Sequence, residues 1–188
     1  MRPRWAPAVL AAALAATPWA GGCSLFFDPV FPDLGRTYLA NDVEVQADPK
    51  TVDELLAAFH KADEALKRKD VEAMMALYSD GYRHRGYGKA DLRAEWARLF
   101  RDYRELSGTH IFSKILAPRD ATPPRAEITC TGALWGLTPS GQRENLDSWY
   151  SEVHYLEFER GAWRIRGHAW EGRRTPKESR AAPPHPLF

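Results

Sequence analysis

Glu152 and His154 stand two residues apart in a segment whose apolar residues alternate, so on a strand they share one face. A carboxylate beside an imidazole can fix the ring tautomer and make it a general base. Tyr150 on the same face, with Tyr78 or Tyr82, would supply hydrogen-bond donors. The plainer alternative is that both residues line the end of the domain, solvated or hydrogen-bonded, and do no chemistry. Other reactive residue types give weaker patterns. His60, His84, His110, His154 and His168 lack metal-ligand spacing and Cys130 lacks a CxxC partner, so neither a metal nor any other cofactor is expected. Cys130, at an apolar position of its strand, reads as a small buried hydrophobe. Gly86-Tyr87-Gly88 is a turn without a phosphate-loop pattern around it. Arg83, Arg85, Arg98, Arg101 and Arg104 read as a solvated basic surface.

The elements that must position these residues follow from periodicity. Thr51-Val52-Asp53-Glu54 is a capping-box sequence, and Val52, Leu55, Leu56, Phe59, Ala62 and Leu66 behind it fall at helical spacing to about Arg68. Asp70 caps a shorter helix carrying Val71, Met74, Met75 and Leu77, stopped by Ser79-Asp80-Gly81. Tyr82 to Gly86 predicts a short strand. A third helix follows Gly88, with Leu92, Trp96, Leu99, Phe100 and Tyr103 on its core face.

From Thr109 the period drops to two, predicting strands over 109–116, 125–136, 143–158 and 163–170. Pro139-Ser140-Gly141 suits a three-residue hairpin loop and Arg160-Gly161 a two-residue one. Those turns set a register. Phe158 then faces Trp163, Leu156 faces Ile165, and Glu157 meets Arg164. In the preceding hairpin Leu134 faces Leu146, Cys130 faces Tyr150, Ile128 faces Glu152, and Ala126 faces His154. One sheet face gathers the residues that helices should cover, with Tyr150, Glu152 and His154 among them. The other gathers Trp135, Trp149, Val153, Tyr155, His168 and Trp170, an apolar surface that suits a symmetric homodimer or a covering segment.

Three stretches carry a resemblance: Ala65-Leu66-Lys67-Arg68-Lys69-Asp70 with Met75-Ala76-Leu77-Tyr78-Ser79-Asp80-Gly81-Tyr82, Trp96 in the third helix, and Gly161-Ala162-Trp163-Arg164-Ile165-Arg166-Gly167-His168. From about Val52 to Trp170 the chain resembles the nuclear transport factor 2-like superfamily, particularly its SnoaL-like members. The resemblance implies an α+β fold, with three N-terminal helices packed on a curved antiparallel sheet, a cone that often holds an apolar ligand, and dimers through the sheet. With the register above, Tyr78, Tyr82, Trp96, Tyr150, Glu152 and His154 are the pocket candidates. It also admits isomerase, cyclase or dehydratase activity, but no catalytic set of that family can be matched residue by residue here.

The N-terminus supplies a different chemistry. Arg2 and Arg4 precede an apolar run from Ala6 to Trp19 that closes on Ala20-Gly21-Gly22-Cys23, a signal-peptide pattern too short to span a bilayer comfortably. The small residues leading into cysteine resemble the lipobox of bacterial lipoproteins, although Ala20 stands where leucine is usual. The resemblance implies cleavage before Cys23 and acylation of its thiol with palmitate-type chains. Two or more such chains hold a protein on a membrane without a spanning helix. Ser24 after the cysteine implies the outer membrane, facing the periplasm.

These readings divide the chain into a signal peptide (1–22), a lipidated cysteine and tether (23–50), a folded domain (51–170) and a proline-rich tail (171–188) expected to be disordered. Without Arg2 and Arg4 the 26 basic residues fall to 24 against 25 acidic, a net of −1 that argues against nucleic acid as a partner. Expected partners are the lipid bilayer through acylated Cys23, a second copy, and a small apolar ligand. The function expected first is a non-catalytic binding domain anchored in the cell envelope. The alternatives are a SnoaL-like enzyme using Glu152 and His154, and a structural dimer that contacts envelope partners through its aromatic sheet face.

Overall fold

The computed structural model describes residues 35–167, all within the compact unit Pro32–Phe188. The element order is β1 (Thr37–Gln46), α1 (Pro49–Arg68), α2 (Val71–Met75), β2 (Arg83–His84), β3 (Tyr87–Gly88), α3 (Lys89–Asp102), β4 (Glu105–Leu116), β5 (Arg125–Leu137), β6 (Arg143–Glu159) and β7 (Ala162–Ile165). Five strands form one sheet in the order β1-β4-β5-β6-β7, and β2 and β3 form a separate two-stranded hairpin. The fold is α+β.

The chain enters the domain earlier than expected, and not through a helix. Much of the stretch read as tether is β1, which pairs in parallel with β4, Thr37 opposite His110 and Val45 opposite Ile115. The sheet is therefore mixed rather than wholly antiparallel, and a strand precedes the helices. Strand β1 lies at the sheet edge with most residues exposed, so it lacks the alternation that marks a half-buried strand. Its entry point is pinned by α1. Asp63 accepts hydrogen bonds from the Thr37 backbone N–H and hydroxyl, both at 3.0 Å.

Helix α1 begins at Asp48-Pro49, its N-cap three residues before the expected one at Thr51. Asp48 is the N-cap and accepts from Thr51 N at 3.0 Å, while Pro49 takes a first-turn position where its missing N–H costs nothing. Asp70 caps α2 as expected, accepting from Ala73 N. Beyond α2 the chain closes the open edge of β7. Ser79 N donates to Ile165 O at 2.9 Å, Ile165 N to Leu77 O at 2.8 Å, and Arg83 N to Arg166 O at 3.0 Å.

The β6–β7 hairpin has the register read from its turn, Phe158 opposite Trp163, Leu156 opposite Ile165 and Glu157 opposite Arg164. The β5–β6 hairpin starts as read, with Thr138 N bonded to Gln142 O, and then departs twice. One irregularity changes the pairing from Trp135–Asn145 to Leu134–Asp147, and a second from Gly132–Trp149 to Cys130–Glu152. Each inserts one residue into β6 and reverses which face its side chains take. Trp149 consequently turns inward, 5 % exposed, and Tyr150 outward, 83 % exposed. The second shift restores the inward set, so His154 lies opposite Ile128 and is buried. The core joins Leu55, Phe59 and Leu66 of α1 to Met74, Trp96 and Leu99 of the other helices, over Phe112, Ile128, Leu134 and Leu156 of the sheet.

Candidate functional site

Helix α1 drives Phe59 onto the helix-covered sheet face, where rings rather than space meet it. The Phe59 centroid lies 4.9 Å from Phe112, 5.4 Å from His110 and 5.8 Å from His154. His110 lies 5.2 Å from Trp149 and 6.2 Å from His154. Gly132 stands between the His110 and Trp149 positions and makes this possible, because a Cβ there would meet Trp149 Cζ2 at 2.5 Å and Thr109 O at 2.0 Å. Trp149 Nε1 donates to Cys130 Sγ at 3.3 Å. Cys130 is fully buried, and burial pushes its thiol up to about 12, against the lowering effect of that bond.

The expected pocket residues divide into three groups. Tyr78, Tyr82 and Trp96 are fully buried, the two tyrosine rings edge to face at 5.5 Å. Burial raises the Tyr78 phenol above its ordinary range, and the Trp96 indole beside it works the other way. His154 belongs to the Phe59–His110 cluster. Tyr150 and Glu152 are exposed beside the bulge at Ser151, whose φ is +52°. The enclosed carboxylate–imidazole–tyrosine set is therefore not assembled: the shifted register turns Tyr150 outward, and Glu152, two residues from the buried His154 and paired with Cys130, is exposed.

The expected dimer face also changes. Trp149 belongs to the core. Trp135, Val153 and Tyr155 remain partly exposed, and Arg143 lies 5.9 Å over the Trp135 ring. His168, Trp170 and Cys23 lie outside the described residues. Among the described residues no cluster of His, Cys, Asp and Glu could hold a metal, and no helix is long and apolar enough to cross a membrane.

Two of the open depressions among the described residues lie beside the β6–β7 hairpin. Between α1, α2 and the β6–β7 hairpin lies a groove of about 280 Å³, with Ala58, Ala62, Ala73, Ala76, Phe158 and Trp163 on its wall. Alanines on both helices leave this gap because their side chains stop at Cβ, and Trp163 is fixed by donating Nε1 to Glu54 Oε2 at 3.1 Å. Nothing in the period of the sequence marks the groove: Ala62 belongs to the apolar stripe of α1 and Ala58 sits beside it, so neither stands out from an ordinary core position. The second is a polar crevice of about 540 Å³ around Asp80, Arg125, Glu157, Glu159 and Arg166. Its charges answer one another: Ser79 Oγ donates to Glu159 at 2.5 Å, Arg166 pairs with Glu157 at 3.1 Å, and Asp80 meets Lys89 and Arg160. The Lys89 and Arg160 contacts hold the exposed Asp80 carboxyl down to about 2.

No protein-family model and no curated protein matches the chain. Solved structures resemble it in fold. A candidate aromatic ring hydroxylase from Novosphingobium aromaticivorans is 11 % identical, with a TM-score of 0.51 over 65 % of this chain and 88 % of its own. A protein of unknown function with a cystatin-like fold from Nostoc punctiforme is 13 % identical, with a TM-score of 0.46 over 64 % and 90 %. A candidate dehydratase of the NTF2-like family from Streptomyces avermitilis is 15 % identical, with a TM-score of 0.45 over 64 % and 95 %. At these identities the likeness is one of architecture.

Proposed function

We propose that this chain is a non-catalytic binding protein of the bacterial cell envelope, anchored through acylated Cys23. Its nuclear transport factor 2-like domain takes a small apolar ligand in the groove between α1, α2 and the β6–β7 hairpin. The observation that carries the reading is the contrast between two apolar regions. The helix-covered interior, where the alternative of a catalytic pair would need space, is filled by Phe59, His110, Trp149 and His154, whereas the alanine-walled groove is open. Its size, about 280 Å³, falls just short of the roughly 300 Å³ at which small-molecule sites begin. The exposed Glu152 and buried His154 weigh against the alternative of a SnoaL-like enzyme using that pair.

The test has two arms. Labelled palmitate should enter the wild-type protein in bacterial cells and fail to enter Cys23→Ala; equal labelling would remove the anchor. Native mass spectrometry of the full unacylated chain should show 1-decanol bound one to one, and Ala57→Phe at the groove wall should abolish it. Absence of binding, or binding indifferent to Ala57→Phe, would remove the ligand site.

A homodimer is a second reading, favoured by the neighbouring Tyr38 and Ile111, paired across β1 and β4 and 40 % and 39 % exposed. Sedimentation should then show a dimer that Ile111→Lys dissociates. A monomeric wild type would exclude it.

A further inference from the structure

The groove is apolar along its wall but not neutral at its mouth. Lys61 on α1 and Arg164 on β7 both line it, and neither has an ion-pair partner among the described residues. Elsewhere on the surface Lys67, Lys89, Arg93, Arg98, Arg160 and Arg166 each meet a carboxylate. Arg164 spends one guanidinium nitrogen on the Ala76 carbonyl at the end of α2, which orients the planar group. Its remaining donors keep the fork geometry that suits a carboxylate. Glu54, the carboxylate on the lining, is occupied by Trp163 Nε1 at 3.1 Å and Lys50 at 3.6 Å.

We infer that the groove binds a single-chain anionic amphiphile, its alkyl chain along the alanine wall and its carboxylate between Lys61 and Arg164. The inference rests on the apolar-ligand reading above and adds the head group to it. The volume sets the chain length. At about 30 Å³ for each water-sized group, 280 Å³ holds roughly nine, a medium alkyl chain and not a two-tailed lipid. The charge sets the head, because an uncompensated cation beside an apolar cavity favours an anion over a neutral or cationic end of the same length.

Calorimetric titration of the full unacylated chain with decanoate, 1-decanol and decyltrimethylammonium separates the two parts of the inference. Decanoate should bind about tenfold more tightly than decanol, the range of one charge-assisted hydrogen bond, and the ammonium compound more weakly than either. Lys61→Glu, an exposed substitution, should weaken decanoate by about tenfold or more and decanol by less, which erases the decanoate preference. Ala57→Phe should weaken both ligands. Equal affinity for decanoate and decanol, or indifference of decanoate to Lys61→Glu, would overturn the head-group assignment while the apolar groove stands. Failure of every probe to bind, or binding that Ala57→Phe does not touch, would overturn the groove itself.

Discussion

Trp149 Nε1 donates to Cys130 Sγ at 3.3 Å across β5 and β6, inside a core where both residues are buried. The contact exists because the first bulge in β6 reverses its faces just before Trp149, and Gly132 opposite leaves room for the indole. Trp149 is therefore a folding residue, not part of a docking surface. Trp149→Ala should cost about 3–5 kcal/mol, the range for emptying a large aromatic site. It should also open Cys130 to thiol reagents at pH 8, where the buried wild-type thiol, held up near 12, stays unreactive. Urea unfolding and labelling kinetics would show both. Full stability with unchanged labelling would return Trp149 to the surface.

Gly132 can be tested separately. A Cβ there would lie 2.0 Å from Thr109 O, a backbone atom, and 2.5 Å from the Trp149 ring. Gly132→Ala should then destabilise the domain by about 1–3 kcal/mol through overpacking. The loss should shrink in the Trp149→Ala background, where one of the two clashes is gone. A full penalty in both backgrounds would assign the strain to Thr109 alone.

What the sequence made legible, and what it hid, meet in strand β6. The β6–β7 register could be read because Arg160 and Gly161 have φ of +51° and +79°, the double positive turn that a two-residue hairpin needs and that glycine announces. The second β6 bulge carries no such signal. Its positive φ falls on Ser151, and alternation continues on both sides with its phase changed. Counting from the turn therefore gave the right faces near the loop, the wrong face at Trp149 and Tyr150, and the right face again at His154. Strand β1 escaped for another reason. An exposed parallel edge strand has no hairpin partner in sequence and no buried face to impose a period of two.

Glu152 and His154 provide a test of that correction. Glu152→Gln should change stability by no more than about 0.5 kcal/mol, as expected of an exposed side chain. His154→Ala should cost about 2 kcal/mol or more, because it empties a site packed against Phe59 and His110. If the two do not work as a pair, the double variant should equal the sum of the singles to within about 0.5 kcal/mol. A coupling well above that would restore the carboxylate–imidazole pair.

Asp63 should give the domain a pH dependence that a single substitution removes. Burial raises its carboxyl to about 6, against the hydrogen bonds from Thr37 and the charges of His60 and Lys67 that favour ionisation. The folded state thus holds a proton that the unfolded chain, with an ordinary aspartate near 3.8, releases earlier. Stability from this group is fully present below the unfolded value and declines as pH rises through about 6, by at most roughly 3 kcal/mol at 1.36 kcal/mol per unit. Asp63→Asn keeps an acceptor for Thr37 without the charge. It should raise stability at pH 7 more than at pH 4.5, and hydrogen exchange should slow at the β1 amides that this contact pins to α1. A wild-type-minus-variant difference that stays flat between those pH values would mean that Asp63 keeps an ordinary carboxylate titration in the fold.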